Sequence, residues 1–576
     1  MQHHRFARRA ALLALSLLSA CAAADPSGAT TETRRNPAAH AIAPGASSAF
    51  LAGRFAAQEG DIDRAADELL RAQSLDPDSR EVRREAFLAS MLAGRPEAVR
   101  LARDQKDDPA ALLLLGNADA KSGDWESAER RFAALPRQGL TQVLLPLMVA
   151  WAQAGQGRTD AALATLKPYV EGQRFRAVYA FHAAMVADLG SRPGEAARLY
   201  KLAQAEFGSL NLDLARNVAS WQARSGRVDE GKQTLDAFVQ TARDFAIALP
   251  RMDADVSNRQ VRRASDGLAA VYVGLAVSLR QQDSAEFAAI MLRLALDLRG
   301  DMTAARLLAS DLAEQAKHPE QALDILKPVA DSDPLAPVVE LRRANLLDRT
   351  GNTEAALRLA ASVAAANPQR PEPWTLQGEI LRSKRRYPEA VAAFDKAIAL
   401  LPLPHKRIDW PLYYERGMAL ERSHDWPKAE ADFLYALKLS PDEPFVLNYL
   451  GYSWTEQHQD LAKARAMIMK AAEMRPTDGA ILDSLGWVNL QQGDVAASVK
   501  WLEKAAELDS EDATINGHLG DAYWAAGRKL EATYQWQRAL TLKPDPDELP
   551  RIQTKLHDAQ RALGLPVSAS VEPAAQ

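Results

Sequence analysis

The chain has 576 residues with 70 basic and 75 acidic side chains, 25% charged and 47% hydrophobic, a balance that excludes collagen, a disordered polymer and a polytopic membrane protein. Aromatics make up only 6% while alanine recurs throughout, which favours helix over strand. The net charge of −5, which becomes −8 without Arg5, Arg8 and Arg9, offers no general attraction for nucleic acid or anionic lipid.

Residues 1–20 place those three arginines before an apolar run from Ala10 to Leu18 and the small pair Ser19-Ala20, the order of an export signal. The run is too short to span a bilayer. Leu18-Ser19-Ala20-Cys21 resembles the lipobox of bacterial lipoproteins. That resemblance implies that Cys21 is acylated and becomes the mature N-terminus, anchoring the protein to a membrane. Cys21 is also the sole cysteine, so disulfides and multi-cysteine zinc sites are excluded. A plain secretory signal leaving a free thiol is the alternative. Residue 22 is Ala rather than the aspartate that resembles an inner-membrane retention signal, which points to the periplasmic face of the outer membrane. Residues 21–45 read as a flexible tether rich in Ala, Thr, Pro and Ser, and 565–576 as an irregular tail.

The body is repetitive. Gly378, Gly417, Gly451, Gly486 and Gly520 are spaced by 39, 34, 35 and 34 residues. Ala390, Ala429, Ala464, Ser498 and Ala532 follow in phase, as do Pro402, Pro441, Pro476, Ser510 and Pro544, and an HKRID insertion at 405–409 accounts for the long first interval. A small residue on each of two helices lets them cross closely, and a proline after the second helix stops it. Asp76-Pro77, Ser440-Pro441 and Arg475-Pro476 read as such stops. The period and residue types resemble the tetratricopeptide repeat, which implies an all-α superhelical solenoid of about fourteen helix-turn-helix repeats. Further units fit 46–79 (Gly53, Ala65, Ala72), about 267–300 (Gly274, Ala288, Ala295) and 337–370 (Ala344, Ala356). Between 80 and 245 the units are degenerate: Gly116, Ala128 and Phe132 mark one, Ala183 and Ala196 another, and 144–163 a third with a stretched turn. The expected organisation is therefore degenerate repeats over 46–245, a break at 246–266, regular repeats over 267–546 and a capping helix at 547–564.

The strings LNYLGYSW (447–454), ILDSLGWV (481–488) and INGHLGDAYW (515–524), with the lipobox and the length, resemble a subgroup of large tetratricopeptide lipoproteins of proteobacteria. A member of it partners a periplasmic carboxy-terminal processing protease. The resemblance implies a non-enzymatic adaptor that binds the protease and its cell-wall-hydrolase substrates. A scaffold for envelope export or outer-membrane assembly is the alternative.

No HExxH, GxxxxGK[ST], GxSxG or GxGxxG occurs, so no catalytic residue, metal ligand or cofactor is assigned, and no nucleic-acid partner. His518 reads as a packed or solvent-facing side chain. Arg251, Arg259, Arg262 and Arg263 form either a basic docking patch or a solvated face. In a solenoid, positions 2, 5, 9 and 12 of each first helix face the groove opposite the second helices. They select Tyr414, Phe445, Asn448, Tyr452, Asp483, Trp487, Asp521 and Trp524 as a partner-binding set of rings and polar groups. Trp487 and Trp524 can instead be core, and Trp454, at position 11, is assigned to the core.

Overall fold

The computed structural model describes residues 45–105, 107–280 and 284–566. The expectations for 1–20, 21–44 and 567–576, Cys21 among them, lie outside the described residues. Helices and their connections account for all the described residues, without a strand. The chain divides into two compact units, one ending at Asn367 and the other beginning at Pro368.

Unit one begins with six helix pairs: α1 (Ala46–Gln58) with α2 (Ile62–Leu75), α3 (Arg80–Leu92) with α4 (Glu97–Ala102), α5 (Pro109–Ser122) with α6 (Trp125–Ala133), α7 (Gly139–Gly155) with α8 (Thr159–Glu171), α9 (Arg176–Leu189) with α10 (Pro193–Phe207), and α11 (Leu212–Arg224) with α12 (Val228–Thr241). A 3₁₀ turn (Arg243–Ala248), the short α13 (Leu249–Ala254) and irregular chain to residue 263 interrupt the pattern. It resumes with α14 (Ala264–Arg280) and α15 (Ala285–Leu298), α16 (Thr303–Gln315) and α17 (Pro319–Leu326), and α18 (Ala336–Arg349) and α19 (Thr353–Ala366).

Unit two holds α20 (Glu372–Ser383) with α21 (Tyr387–Ala399), α22 (Trp410–Arg422) with α23 (Trp426–Leu439), α24 (Pro444–Glu456) with α25 (Leu461–Met474), α26 (Gly479–Gln491) with α27 (Val495–Leu508), and α28 (Ala513–Ala525) with α29 (Lys529–Thr541). The last helix, α30 (Leu549–Leu563), buries Ile552, Leu556 and Ala559 and exposes Gln553, Thr554, Asp558 and Arg561. Nine pairs in unit one and five in unit two make fourteen repeats among the described residues.

The phased small residues stand at the helix crossings. A β-carbon on Gly486 would lie 2.5 Å from Leu502 Cγ, and one on Gly378, Gly417 or Gly520 would lie 2.5–2.6 Å from the ring of Phe394, Phe433 or Trp536. Each glycine therefore makes room for a large residue sixteen positions later, on the partner helix. Gly451 meets Ile468, one position further on, because the turn between α24 and α25 is one residue longer than the others in unit two. Local chemistry sets the helix starts: Asp478, Asp494 and Asp512 accept from the backbone N–H three residues on. In the α26–α27 turn Gly493 takes φ 84, a conformation glycine adopts without strain. The stops at Asp76-Pro77, Ser440-Pro441 and Arg475-Pro476 end α2, α23 and α25 at the preceding residue.

Several expectations need correcting. The repeat pattern is broken near 246–266, and the compact unit runs through the break to Asn367. The turn after α7 is not stretched. Three residues separate α7 from α8, as between α26 and α27, and the extra length belongs to α7, which has 17 residues and contains Pro146. Gly274 is exposed and a β-carbon there would meet nothing within 4 Å. The buried small residue of α14 twelve positions before Ala288 is Ala276, two residues later than the register read from the sequence.

Unit one has a feature the periodicity does not show. The hairpin of α14 and α15 packs across the first helices α3, α5, α7 and α9. Tyr272 donates its hydroxyl proton to Asn117 Oδ1 at 3.0 Å, and Asn117 Nδ2 donates to the Leu294 carbonyl at 3.4 Å, all in the interior. Gly267 lies against the ring of Trp151, with no space for a side chain between them. Trp151 is fully buried and donates its Nε1 proton to His182 Nδ1 at 3.1 Å. At the rim, Lys121 pairs with Asp297 at 2.9 Å. The first-helix face of these repeats is thus core.

Candidate functional site

In unit two the first helices pack on one another and on their second helices, and the expected partner-binding residues fall into three groups. Tyr414 and Trp524 are drawn into packing. Tyr414 sits among Trp410, Phe433 and Tyr449 with ring centroids 5.8–6.1 Å apart, and Trp524 rests 5.6 Å from Trp536 with the Lys529 ammonium 5.2 Å from its ring. Phe445, 41% exposed, lies at the rim with the Arg475 guanidinium 4.8 Å from its ring. Tyr452, Asp483, Trp487 and Asp521 surround one centre, and Asn448 lies one helical turn before Tyr452.

That centre is His518. Its imidazole stacks on Trp487 at 4.1 Å with planes 15° apart, and Tyr452 stands 6.4 Å away. Its Nδ1 lies 3.0 and 3.1 Å from the two carboxylate oxygens of buried Asp483. Burial alone would lower the imidazole pKa, but Asp483, then Asp521 and Glu548, raise it to about 9. At neutral pH the site holds an imidazolium between a carboxylate and an indole face, a cation–π arrangement. Trp487 in turn donates its Nε1 proton to Glu456 at 2.5 Å. Asp521 accepts from Trp536 Nε1 at 3.1 Å and pairs with Lys555 at 2.6 Å, and Glu548 accepts from the Thr514 hydroxyl at 3.0 Å.

The acceptors outnumber the donors. Neither Glu456 nor Glu548 has a cationic partner among the described residues, and the Asn448 side-chain oxygen is buried without a hydrogen bond. Burial, and then Glu456, Asp483 and Glu548, push the Tyr452 hydroxyl well above the usual tyrosine range. Trp454 is buried in the core, donating to Glu430 at 2.6 Å.

Selection of positions 2, 5, 9 and 12 missed His518, Glu456 and Glu548. His518 is at position 6 of its helix, the position that leans onto the preceding repeat. The available signal was its separation of 35 residues from Asp483, one period plus one, which sets position 6 of a unit beside position 5 of the unit before it.

The arginines near residue 251 do not form a free basic patch. Arg259 pairs with Asp188 at 3.4 Å and Arg263 with Asp266 at 3.3 Å, and Arg251 donates to the Asp331 carbonyl at 2.8 Å. Nearby, a polar cavity of about 260 Å³ is bordered by Arg216, Asp255, Arg299 and Thr303, and those groups bond to one another or to neighbouring backbone and carboxylates. No cluster of three metal-ligating side chains occurs among the described residues, and no described helix is long and apolar enough to cross a membrane.

The tetratricopeptide-repeat family model matches residues 341–403, 414–479, 456–513 and 484–548. These residues are tetratricopeptide repeats. Repeats of this family mark protein–protein interaction scaffolds, which are generally non-catalytic. The chain is similar to a TPR repeat-containing protein of Pseudomonas aeruginosa, 30% identical over 211 residues, which is 36% of this chain and 35% of the relative. It is also similar to Superkiller complex protein 3 of Mus musculus, 24% identical over 265 residues, 39% of this chain and 17% of that protein. The chain thus spans about a third or less of the length of these relatives. Among solved structures, the APC/C hetero-tetramer Cut9–Hcn1 and yeast Tom70 cover 89% and 90% of this chain and 96% of their own, at 14% identity and TM-scores of 0.38 and 0.35.

Proposed function

We propose that this protein is a non-enzymatic adaptor of the bacterial envelope that docks a partner protein on the first-helix face of unit two around Tyr452, Trp487 and His518. The observation that carries the reading is that this face holds half-exposed rings beside carboxylates left without cations, whereas the same face of the early unit-one repeats is closed. An aromatic surface of this kind gives large contact area at small entropic cost, with polar groups fixing register. Cys21 tethers the adaptor to the periplasmic face of the outer membrane through acyl chains. Its partners are a periplasmic processing protease and the cell-wall hydrolases that protease degrades. Holding both on one solenoid raises their mutual effective concentration to the order of millimolar, so degradation is promoted by contact alone.

Affinity purification of the tagged, full-length protein from envelope extracts tests this. Recovery of a serine protease that disappears with Trp487→Ala supports the adaptor. Recovery of export or outer-membrane assembly components in its place refutes the protease assignment. Cys21→Ser should abolish acyl labelling and release the protein from membranes, and continued pelleting with undiminished labelling would refute the anchor.

A further inference from the structure

We infer that the Tyr452 face of unit two seats a lysine or arginine side chain of its partner, held across the Tyr452 ring between Glu456 and Glu548. This rests on the reading of that face as a docking site, and adds the charge of what docks there.

The charges on the face do not balance by themselves. Asp483 is matched by the His518 imidazolium and Asp521 by Lys555. Glu456 and Glu548 accept only from neutral groups, an indole N–H and a threonine hydroxyl. Glu456 holds the indole that stacks on His518, and Tyr452 stands 6.4 Å from the same imidazole. Glu456, Asp483 and Glu548 act on the Tyr452 hydroxyl against one cation, Arg422, which is itself paired with Glu421. An ionised carboxylate gains most from a charge-assisted partner, and none is supplied from within unit two.

The hydrogen-bond inventory points the same way. Asn448 lies one helical turn before Tyr452, and its side-chain oxygen is shielded from solvent with no donor. The Tyr452 hydroxyl also has no hydrogen-bond partner among the described residues. Carboxylates, an amide oxygen and a phenol oxygen can all accept, and the ammonium of lysine or the fork of arginine carries only donors. The ring face of Tyr452 adds a cation–π surface. His518 shows the same chemistry carried out internally, with a cation stacked on Trp487 and paired with Asp483. An acidic segment would meet Glu456, Asp483, Asp521 and Glu548 together and be repelled. A purely apolar one would desolvate two carboxylates without compensation.

The test uses a phage-displayed library of random peptides selected on the full-length protein, with Trp487→Ala as the counter-selection. Peptides that depend on Trp487 should carry Lys or Arg at one shared position. Their affinity should fall about tenfold in the Glu456→Gln/Glu548→Gln double variant, with a flatter salt dependence. Both glutamates reach solvent, so this variant should keep the wild-type melting temperature. Trp487-dependent peptides with no cationic position, or with affinity unchanged by the double variant, would overturn the inference and leave the docking reading standing. Failure to select any Trp487-dependent peptide would overturn both.

Discussion

The two units use one repeat for opposite ends. In unit one the first-helix face of α3, α5, α7 and α9 is covered by the α14–α15 hairpin, and the residues under it are those of a core: Trp151, Tyr272, Asn117 and Gly267, packed tightly and hydrogen-bonded across more than a hundred residues of sequence. In unit two the corresponding face carries Tyr452, Trp487, Asp483 and His518, none of them under a further helix pair, with two carboxylates left over. Each unit has a histidine beside a tryptophan on this face, and the two differ in charge. His182 is buried beside Trp151 without a counter-ion, and burial lowers its pKa to about 3. His518 has Asp483, and its pKa rises to about 9. The contrast shows that repeat sequence sets the helix pairs, while the charge and fit of first-helix side chains decide whether the face becomes core or contact surface.

The largest test of that difference is Trp151→Ala. It should lower the stability of unit one by ~3–5 kcal/mol, and hydrogen exchange should accelerate together in α5, α7, α9, α14 and α15, because the hairpin ties them into one cooperative block. Loss of protection confined to α7 and α8 would mean that unit one behaves as a simple stack.

The two histidines should give opposite pH responses. His182 is depressed relative to its unfolded value, so its contribution is present above about 6.5 and lost as pH falls towards 3. His518 is raised, so its contribution is complete below about 6.5 and lost as pH rises through about 9. Each slope is at most about 1.4 kcal/mol per pH unit. Thermal melts of wild type against His182→Gln should therefore converge in acid, and melts against His518→Gln should converge in alkali. Parallel pH profiles for either pair would disprove the assigned protonation state.

Gly486→Leu should cost ~1–3 kcal/mol by overpacking the α26–α27 crossing against Leu502, and in a stack the damage stays near residues 479–512. Uniform exchange across unit two in this variant would count against the register. Smaller still, Trp487→Ala should cost about 1–2 kcal/mol of unit-two stability through the lost stacking on the imidazolium. The same change should weaken partner binding by ~1–4 kcal/mol. A larger stability loss with unchanged binding would make Trp487 a core residue.

Much of this was legible in the sequence because it is set locally. Glycine at a crossing, alanine opposite and proline after a helix are steric requirements that recur in phase through unit two, so the repeats there were plain, whereas the degenerate units between 80 and 245 allowed only an estimate of about fourteen in all. Asn448, Tyr452, Asp483, Trp487 and Asp521 were legible for the same reason, since helical spacing fixes which face a position takes. His518 was not, because its role depends on a carboxylate one repeat away rather than on its own helix position. Tyr414 and Trp524 carry the same positional signature as Tyr452, and only neighbouring rings such as Phe433 and Trp536 draw them into packing. The α14–α15 hairpin itself was read from its repeat at about 267–300, but its packing across α3, α5, α7 and α9 left no periodic trace. Its partner Asn117 is 177 residues from Leu294, and nothing in a pattern of 34 residues encodes contacts at that distance.

The hairpin also sets a schedule for synthesis. The face bearing Met148 and Trp151 on α7 stays uncovered until α14 (Ala264–Arg280) has been made, some 130 residues later. At typical elongation rates that interval is roughly six to twenty-six seconds, during which a growing chain presents a broad apolar surface and has no native contact to close it. Contacts so distant in sequence also form slowly once the chain is complete. Within unit two there is no such delay, because each first helix after α20 packs on the repeat made immediately before it.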